Sequence, residues 1–244
     1  MALAVLGVIP ARLQSTRLPR KVLRELAGRP MIAHVYERAS RCPLMADVLV
    51  ATDAEEVASV CRSLGIPAVL TSASHPSGTD RVWEIAHGRG ADVYVNIQGD
   101  EPLVTSRHIE GLIEPFLSSR ETQVSTLKIR ATAGEIEDPN TPKVVCDLQG
   151  RALYFSRHPI PYDRDRREQV PYFKHLGLYA YTRAALDRFH ALEPSPLERM
   201  ERLEQLRFLE HGIPVTVAET VDATIGVDTE NDLRLAEARL LAGG

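Results

Sequence analysis

Arg12, Arg17, Arg20 and Lys21 fall within roughly ten residues of one another, in the stretch VIPARLQSTRLPRK, with no acid among them. Ser15 and Thr16 add hydroxyl donors, and Pro10 and Pro19 stiffen the path. A basic, hydroxyl-rich loop fed directly by an apolar strand is how α/β proteins hold phosphates at the carboxyl edge of a sheet. A solvated basic loop is the alternative. The stretch contains neither GxGxxG nor GxxxxGKS/T, which excludes the dinucleotide fingerprint and the P-loop.

Asp100 lies in QGDEP, directly after an apolar run, and Asp228 lies in GVDT, directly before a helical one. A carboxylate at a strand end projects over the sheet edge, and carboxylates joined by phosphate oxygens are the usual way proteins hold Mg2+. Asp100 reads equally well as a turn residue capping the next helix. Two such acids can share one metal, but the sequence does not establish that they meet. Ser77, Gly78 and Thr79, followed by Asp80 and Arg81, offer amides and hydroxyls to a sugar or base, though S-G is also an ordinary turn signal. His75 reads as a loop residue.

A second basic cluster holds Arg157, His158, Arg164, Arg166 and Arg167, with Tyr162 and His175 nearby in the sequence. Arginine forks match carboxylates bidentately, so the cluster suits an acidic substrate. Function is assigned to Arg157 and His175, and solvent exposure to Arg166 and Arg167. Glu204 and Gln205 fall on a charged helical stretch, Leu197–Glu210, and by pattern alone are solvated surface residues.

The elements that must position these groups alternate along the chain. Apolar runs at Ala2–Ile9, Val48–Ala51, Ala68–Leu70 and Val93–Ile97 read as strands. Helical patterns at Met31–Ala39, Glu55–Leu64, Asp80–His87 and Arg107–Leu117 separate or follow them, with Thr52 or Asp53 as cap of the second. This rhythm predicts a mostly parallel central sheet with helices on both faces. Right-handed crossovers then bring Pro10–Lys21 and Gln98–Pro102 to one edge. The second half is strand-rich: Val124–Ile129, Lys143–Asp147, Ala152–Phe155, Leu176–Tyr181 and a late Val215–Ala218. Gln149 and Gly150 form a hairpin turn. Thr229 caps a last helix from Glu230 to about Leu241, with Asp232 at its third position. A soft boundary falls near residue 120, and the last strand and helix are expected to return to the first layer.

With 244 residues, 44% of them hydrophobic, the chain can bury a core without disulfides or structural metal. A net charge of −4 argues against general nucleic-acid binding. Cys42, Cys61 and Cys146 are odd in number and lack CxxC spacing, which suits small core residues in a cytoplasmic protein. The apolar start lacks a basic n-region and is too short to span a membrane, and no other run approaches that length.

Taken together, the motifs carry a resemblance. IPARLQSTRLPRK, GRPMIAHVYERA, VATD, HPSGTDR, NIQGDEP, NTPKVV, ALYFSRHPIPYDRD, KHLGLYAY, PSPLERMERLEQLR and GVDTENDL follow in an order and spacing similar to the 3-deoxy-manno-octulosonate cytidylyltransferases, the CMP-Kdo synthetases. The resemblance runs essentially end to end. It implies a single nucleotidyltransferase domain of glycosyltransferase-A-like fold over 1–244. Within it, 1–120 binds nucleotide, 121–225 binds sugar and dimerises through a smaller sheet, and 226–244 returns to the first half. It implies a homodimer that turns CTP and Kdo into CMP-Kdo and pyrophosphate for lipopolysaccharide-type glycans, with Mg2+ as cofactor.

Position by position, Pro10, Ala11, Arg12, Ser15, Arg17 and Lys21 are similar to the family's triphosphate loop. Ser77, Gly78, Thr79 and Gln98 resemble its cytidine site, and Asp100 and Asp228 its Mg2+ ligands. Arg157, His175, Tyr179, Glu204 and Gln205 resemble its sugar-acid site, which reverses the surface reading of Glu204 and Gln205. The resemblance makes Arg12, Lys21, Asp100 and Asp228 the catalytic set, and no residue stands out as a dedicated general base. Many relatives carry glycine where this chain has Arg20, so the loop is expected to manage here without φ > 0 or close backbone approach.

Three other readings compete. A sialic-acid cytidylyltransferase shares the IPAR loop but usually lacks the QGDEP and GVDT pairing. A glycosyltransferase normally carries D-x-D after a strand, which GDEP is not. A nucleotide sensor without turnover would not need Lys21, Asp100 and Asp228. Kdo and its 8-amino analogue share most of such a site, and the sequence leaves that choice open.

Overall fold

The computed structural model describes residues 3–15, 17–165 and 171–242. Thr16 and the expected exposure of Arg166 and Arg167 lie outside the described residues. The chain divides into two compact units, 1–110 with 223–244, and 111–222.

The first unit begins with β1 (Val5–Pro10), buried along its whole length. A short 3-10 turn at Lys21–Leu23 leads to the tiny ladder β2 (Glu25–Leu26) and β3 (Arg29–Pro30). Then follow α1 (Met31–Ala39), β4 (Asp47–Thr52), α2 (Glu55–Ser63), β5 (Ala68–Leu70), α3 (Gly78–Gly88) and β6 (Val93–Asn96), and the chain leaves this unit within α4 (Ser106–Ser118). The strands run β6-β1-β4-β5 and every pairing is parallel, as the alternation predicts. Val8, Ile9, Leu49, Val50 and Val95 are fully buried. Strands covered on both faces read as continuous apolar runs rather than alternating ones, which is why these were visible in the sequence. The cap of α2 is Ala54, neither Thr52 nor Asp53. Thr52 Oγ1 instead accepts the Ala54 N–H at 3.2 Å, and Asp53 turns to Arg81.

The second unit holds β7 (Val124–Arg130), α5 (Ala133–Glu137), β8 (Lys143–Cys146), β9 (Ala152–Ser156), β10 (Phe173–Thr182), α6 (Arg183–His190), α7 (Pro196–Glu201), α8 (Leu206–Glu210) and β11 (Val215–Glu219). Its strands are mixed: β10 is antiparallel to β7, β8 and β9 form an antiparallel hairpin, and β11 is parallel to β7. The late strand β11 pairs with β7 in this unit. Only the segment after it goes back, ending in α9 (Glu230–Leu241), capped by Thr229 with Asp232 as expected. Leu233 and Ala236 of α9 pack with Leu18, Leu26, Met31 and Val227. Among the described residues no helix is long and apolar enough to cross a membrane.

Candidate active site

The loops after β1 and β6 touch at one glycine. A Cβ on Gly99 would stand 2.8 Å from the Pro10 carbonyl oxygen, so only glycine allows this approach. The segment before α9 is tied to the same place. The Val227 N–H donates to the Asp100 carbonyl at 2.9 Å, and Thr224 Oγ1 donates to the Glu101 carboxylate at 2.6 Å. The capping box at Thr229 fixes where α9 begins, and with it the position of Asp228 one residue earlier. Two aspartates distant in sequence therefore meet.

They meet at Lys21. Its Nζ donates to Asp100 Oδ2 at 2.5 Å and to Asp228 Oδ1 at 2.8 Å, while Arg17 pairs with the other oxygen of Asp228 at 3.0 Å. Burial alone would lower the Lys21 pKa; the charges and hydrogen bonds of Asp100 and Asp228 outweigh it and raise the value. The ammonium is therefore a fixed positive charge. A cavity of about 360 Å3 opens above it, lined by Pro10, Arg12, Ser15, Arg17, Gly78, Gln98 and both aspartates. Gln14, Val22 and Gly99 also line it and were not anticipated; their signal was position between predicted residues, not residue type.

Three expected nucleotide residues do not line this cavity. Ala11 is fully buried and spends its N–H on the Ala51 carbonyl. Ser77 caps α3, accepting the Asp80 N–H and donating to the Asp80 carboxylate. Thr79 is buried in the first turn. The helix begins two residues earlier than its charge pattern suggests, so SGT is a cap and first turn rather than a free loop, and Gly78 alone presents backbone to the cavity.

Arg20 corrects the expectation for the loop. Its backbone sits at φ 58, ψ 31, the left-handed conformation that glycine would adopt freely. The conformation is kept and the arginine bears it. Leu18, almost wholly buried, pins the chain two residues before, and Lys21 pins it directly after.

The second set of residues assembles in the other unit around a break in β10. Pairing with β7 shifts register between Leu176 and Tyr179. Thr126 stitches the bulge, its hydroxyl within 3.2 Å of the Leu176 carbonyl and 2.8 Å of the Leu178 carbonyl. A bulge re-aims side chains, and here it sets the rings of His175 and Tyr179 5.3 Å apart. His175 Nε2 lies 2.9 Å from Thr126 Oγ1 and Nδ1 lies 3.5 Å from Gln205 Nε2. The Thr126 hydrogen goes to a carbonyl, so Nε2–H donates to Oγ1, and Nδ1 accepts from the Gln205 amide. Burial pushes the His175 pKa down to about 3, so the ring is neutral. Burial, then Tyr181 and Glu204, pushes the Tyr179 phenol well above its ordinary value.

Gln205 is buried because the expected helix over Leu197–Glu210 is two helices. α7 ends at Arg202, which has φ 53 and ψ 48, and α8 starts after Gln205. The solvated-surface reading of Gln205 is thus overturned by a single left-handed residue. Glu204 is half-buried and lines a shallow cavity with Glu198, Arg199 and Arg202. Arg157 is occupied otherwise than expected: Nε donates to the Glu201 carbonyl at 2.7 Å, one terminal nitrogen to Pro139 at 2.8 Å and the other to Arg202 at 3.2 Å. His158 Nδ1 lies 3.2 Å from the Pro159 carbonyl of its own loop, and Tyr162 is exposed. His75 pairs with Glu84.

A family profile described as cytidylyltransferase matches residues 6–220. The 3-deoxy-manno-octulosonate cytidylyltransferase of Acidobacterium capsulatum is 57% identical over 240 residues, covering 98% of this chain and 98% of that protein. The protein of the same name from Koribacter versatilis is 55% identical over 232 residues, covering 95% and 88%. The solved structure of CMP:2-keto-3-deoxy-manno-octonic acid synthetase complexed with CTP superposes with a TM-score of 0.94 at 42% identity, covering 98% of this chain and 99% of that one. The chain belongs to the 3-deoxy-manno-octulosonate cytidylyltransferase family.

Proposed function

We infer that this protein activates a sugar acid, converting CTP and Kdo into CMP-Kdo and pyrophosphate for lipopolysaccharide-type glycans. The observation that carries the reading is the Lys21–Asp100–Asp228 cluster at the foot of a cation-lined cavity, in a chain with full-length likeness to enzymes of that name. The anomeric hydroxyl of the sugar attacks the α-phosphorus and loses its proton to water, a new P–O bond forms, the bond to the β-phosphate breaks, and pyrophosphate leaves. Nucleotidyl transfer of this kind depends on positioning and charge stabilisation. Arg12 and Lys21 stabilise the charge that builds on the α-phosphate and the leaving pyrophosphate. Arg17 orients Asp228, and Gln98 and the backbone at Gly78 hold the nucleoside.

Asp100 and Asp228 are the residues that would hold Mg2+. Both already converge on one cation, the Lys21 ammonium, and two carboxylates completed by phosphate oxygens suit this ion. Two carboxylates leave the remaining ligand positions of such a cation to substrate oxygens and water. Bound there, the ion would supply charge to the α-phosphate and lower the pKa of the attacking hydroxyl.

Tyr179, Glu204 and Gln205 hold the sugar acid by hydrogen bonds, and His175, with both ring nitrogens engaged, holds the Gln205 amide in place. Tyr179 is buried, and its hydroxyl, near Thr126 and Glu204, makes no hydrogen bond of normal geometry among the described residues. A homodimer is part of the proposal, supported by Leu148 and Leu153 on the β8–β9 hairpin, which are 100% and 62% exposed. Cytoplasmic action is a further part, supported by three free cysteines and by CTP as substrate.

Pyrophosphate release tests the reading, using purified protein with each of the four nucleoside triphosphates against Kdo, 8-amino-Kdo and sialic acid. Release with CTP and Kdo together, and with neither alone, is expected. Turnover of sialic acid in preference to Kdo would overturn it.

A further inference from the structure

We infer that Glu201 and Arg157 are positioning residues for the acceptor, locking the left-handed turn at Arg202 and so holding Gln205 against His175. This rests on the reading that Gln205, oriented by His175, holds the sugar acid. Left-handed backbone is unfavourable for a residue with a Cβ, so the turn at Arg202 needs something to hold it. A helix C-terminus also leaves its last carbonyls without intrahelical partners.

The structure meets both needs with one reciprocal clamp. The Glu201 carboxylate accepts the Arg157 N–H at 2.9 Å and the Ser156 hydroxyl at 2.7 Å, fixing the end of α7 to the end of β9. The Arg157 guanidinium answers by donating to the carbonyls of Glu201 and Arg202, at 2.7 and 3.2 Å. Its third nitrogen reaches the Pro139 carbonyl at 2.8 Å and ties in the segment before β8. Three residues beyond the clamped carbonyls, Gln205 is buried with its amide 3.5 Å from His175 Nδ1. The planar fork presents three separate nitrogens to three carbonyls, a spread that the single nitrogen of a lysine does not reproduce.

The test uses Arg157→Lys and Glu201→Gln, each alone and combined with Gln205→Ala, in the full-length protein. Steady-state kinetics give KM for Kdo and kcat, and calorimetry gives Kd for CTP. Each single variant is expected to raise KM for Kdo about tenfold and leave Kd for CTP within about twofold. On the Gln205→Ala background either change adds less than about twofold, because both act through the same side chain. The 15N shift of His175 Nδ1 moves in the single variants as the Gln205 amide withdraws.

Multiplying effects would show that Arg157 meets the sugar itself and would overturn the inference. So would an unchanged KM, or a loss of CTP affinity in step with the loss of Kdo. If Arg157→Lys fails to fold, the isosteric Glu201→Gln carries the same expectations. Gln205→Ala with an unaltered KM for Kdo would remove the acceptor reading itself, and this inference with it.

Discussion

In the first unit, one lysine joins two aspartates at 2.5 and 2.8 Å beside an arginine, all lining one cavity. In the second, Thr126, His175 and Gln205 form a chain of neutral hydrogen bonds with all three side chains buried. The difference follows from the two ligands proposed. A triphosphate carries several negative charges, and partly wet cations answer it without needing close burial. A monosaccharide acid is mostly hydroxyls, and neutral donors and acceptors discriminate among hydroxyls only where water is kept away. Charge at a strand end is cheap to place. A buried polar chain must be complete, since each unpaired member is expensive.

The strongest way to break this comparison is at the charges. Asp100→Ala and Asp228→Ala are each expected to lower kcat by at least about a thousandfold while circular dichroism and urea unfolding stay close to wild type. A near-wild-type rate in either variant at saturating Mg2+ would remove that residue from the site. Lys21→Ala comes next, at about a hundred- to a thousandfold in kcat, with a smaller change in KM for CTP. Its charge serves the transition state more than the ground state. If KM for CTP alone rises, Lys21 binds without contributing to the chemical step.

The neutral chain is sharpened by pH. Folded His175 titrates near 3 against an ordinary value of 6.5. Between those values the unfolded chain takes up a proton that the folded chain refuses, so stability falls as pH drops through the window, by about 1.4 kcal/mol per pH unit. His175→Gln removes the titration. Urea midpoints of this variant should therefore fall less steeply than those of wild type between pH 6 and pH 4. Parallel curves for the two proteins would place His175 outside the buried chain.

The smallest effect is expected at Arg20. Glycine there relieves a left-handed Cβ, at about 1 kcal/mol, and raises the flexibility of the unfolded chain by a comparable ~0.5–1 kcal/mol. The ion pair with Glu56 is exposed and contributes little. Arg20→Gly should shift stability by less than about 1 kcal/mol and leave turnover within twofold. A larger loss in thermal unfolding would mean that the Glu56 pair anchors the loop.

The charged site was open to reading from residue order alone. Strands buried on both faces are continuous apolar runs, and cations packed in one loop stand out against the polar background. The capping box at Thr229 and Asp232 is a local pattern and folded as local patterns do. The convergence of Asp100 with Asp228 was left open by the sequence, because it depends on Gly99 against Pro10 and on Val227 bonding to Asp100. The buried chain could not be read from the residues themselves. Glu204 and Gln205 sit in a run of helix-forming charged residues, and what buries Gln205 is one left-handed turn at Arg202. Local propensity favours the unbroken helix there. Arg157, gripping carbonyls of Pro139, Glu201 and Arg202 together, opposes it, and such a contact exists only once those distant segments have packed.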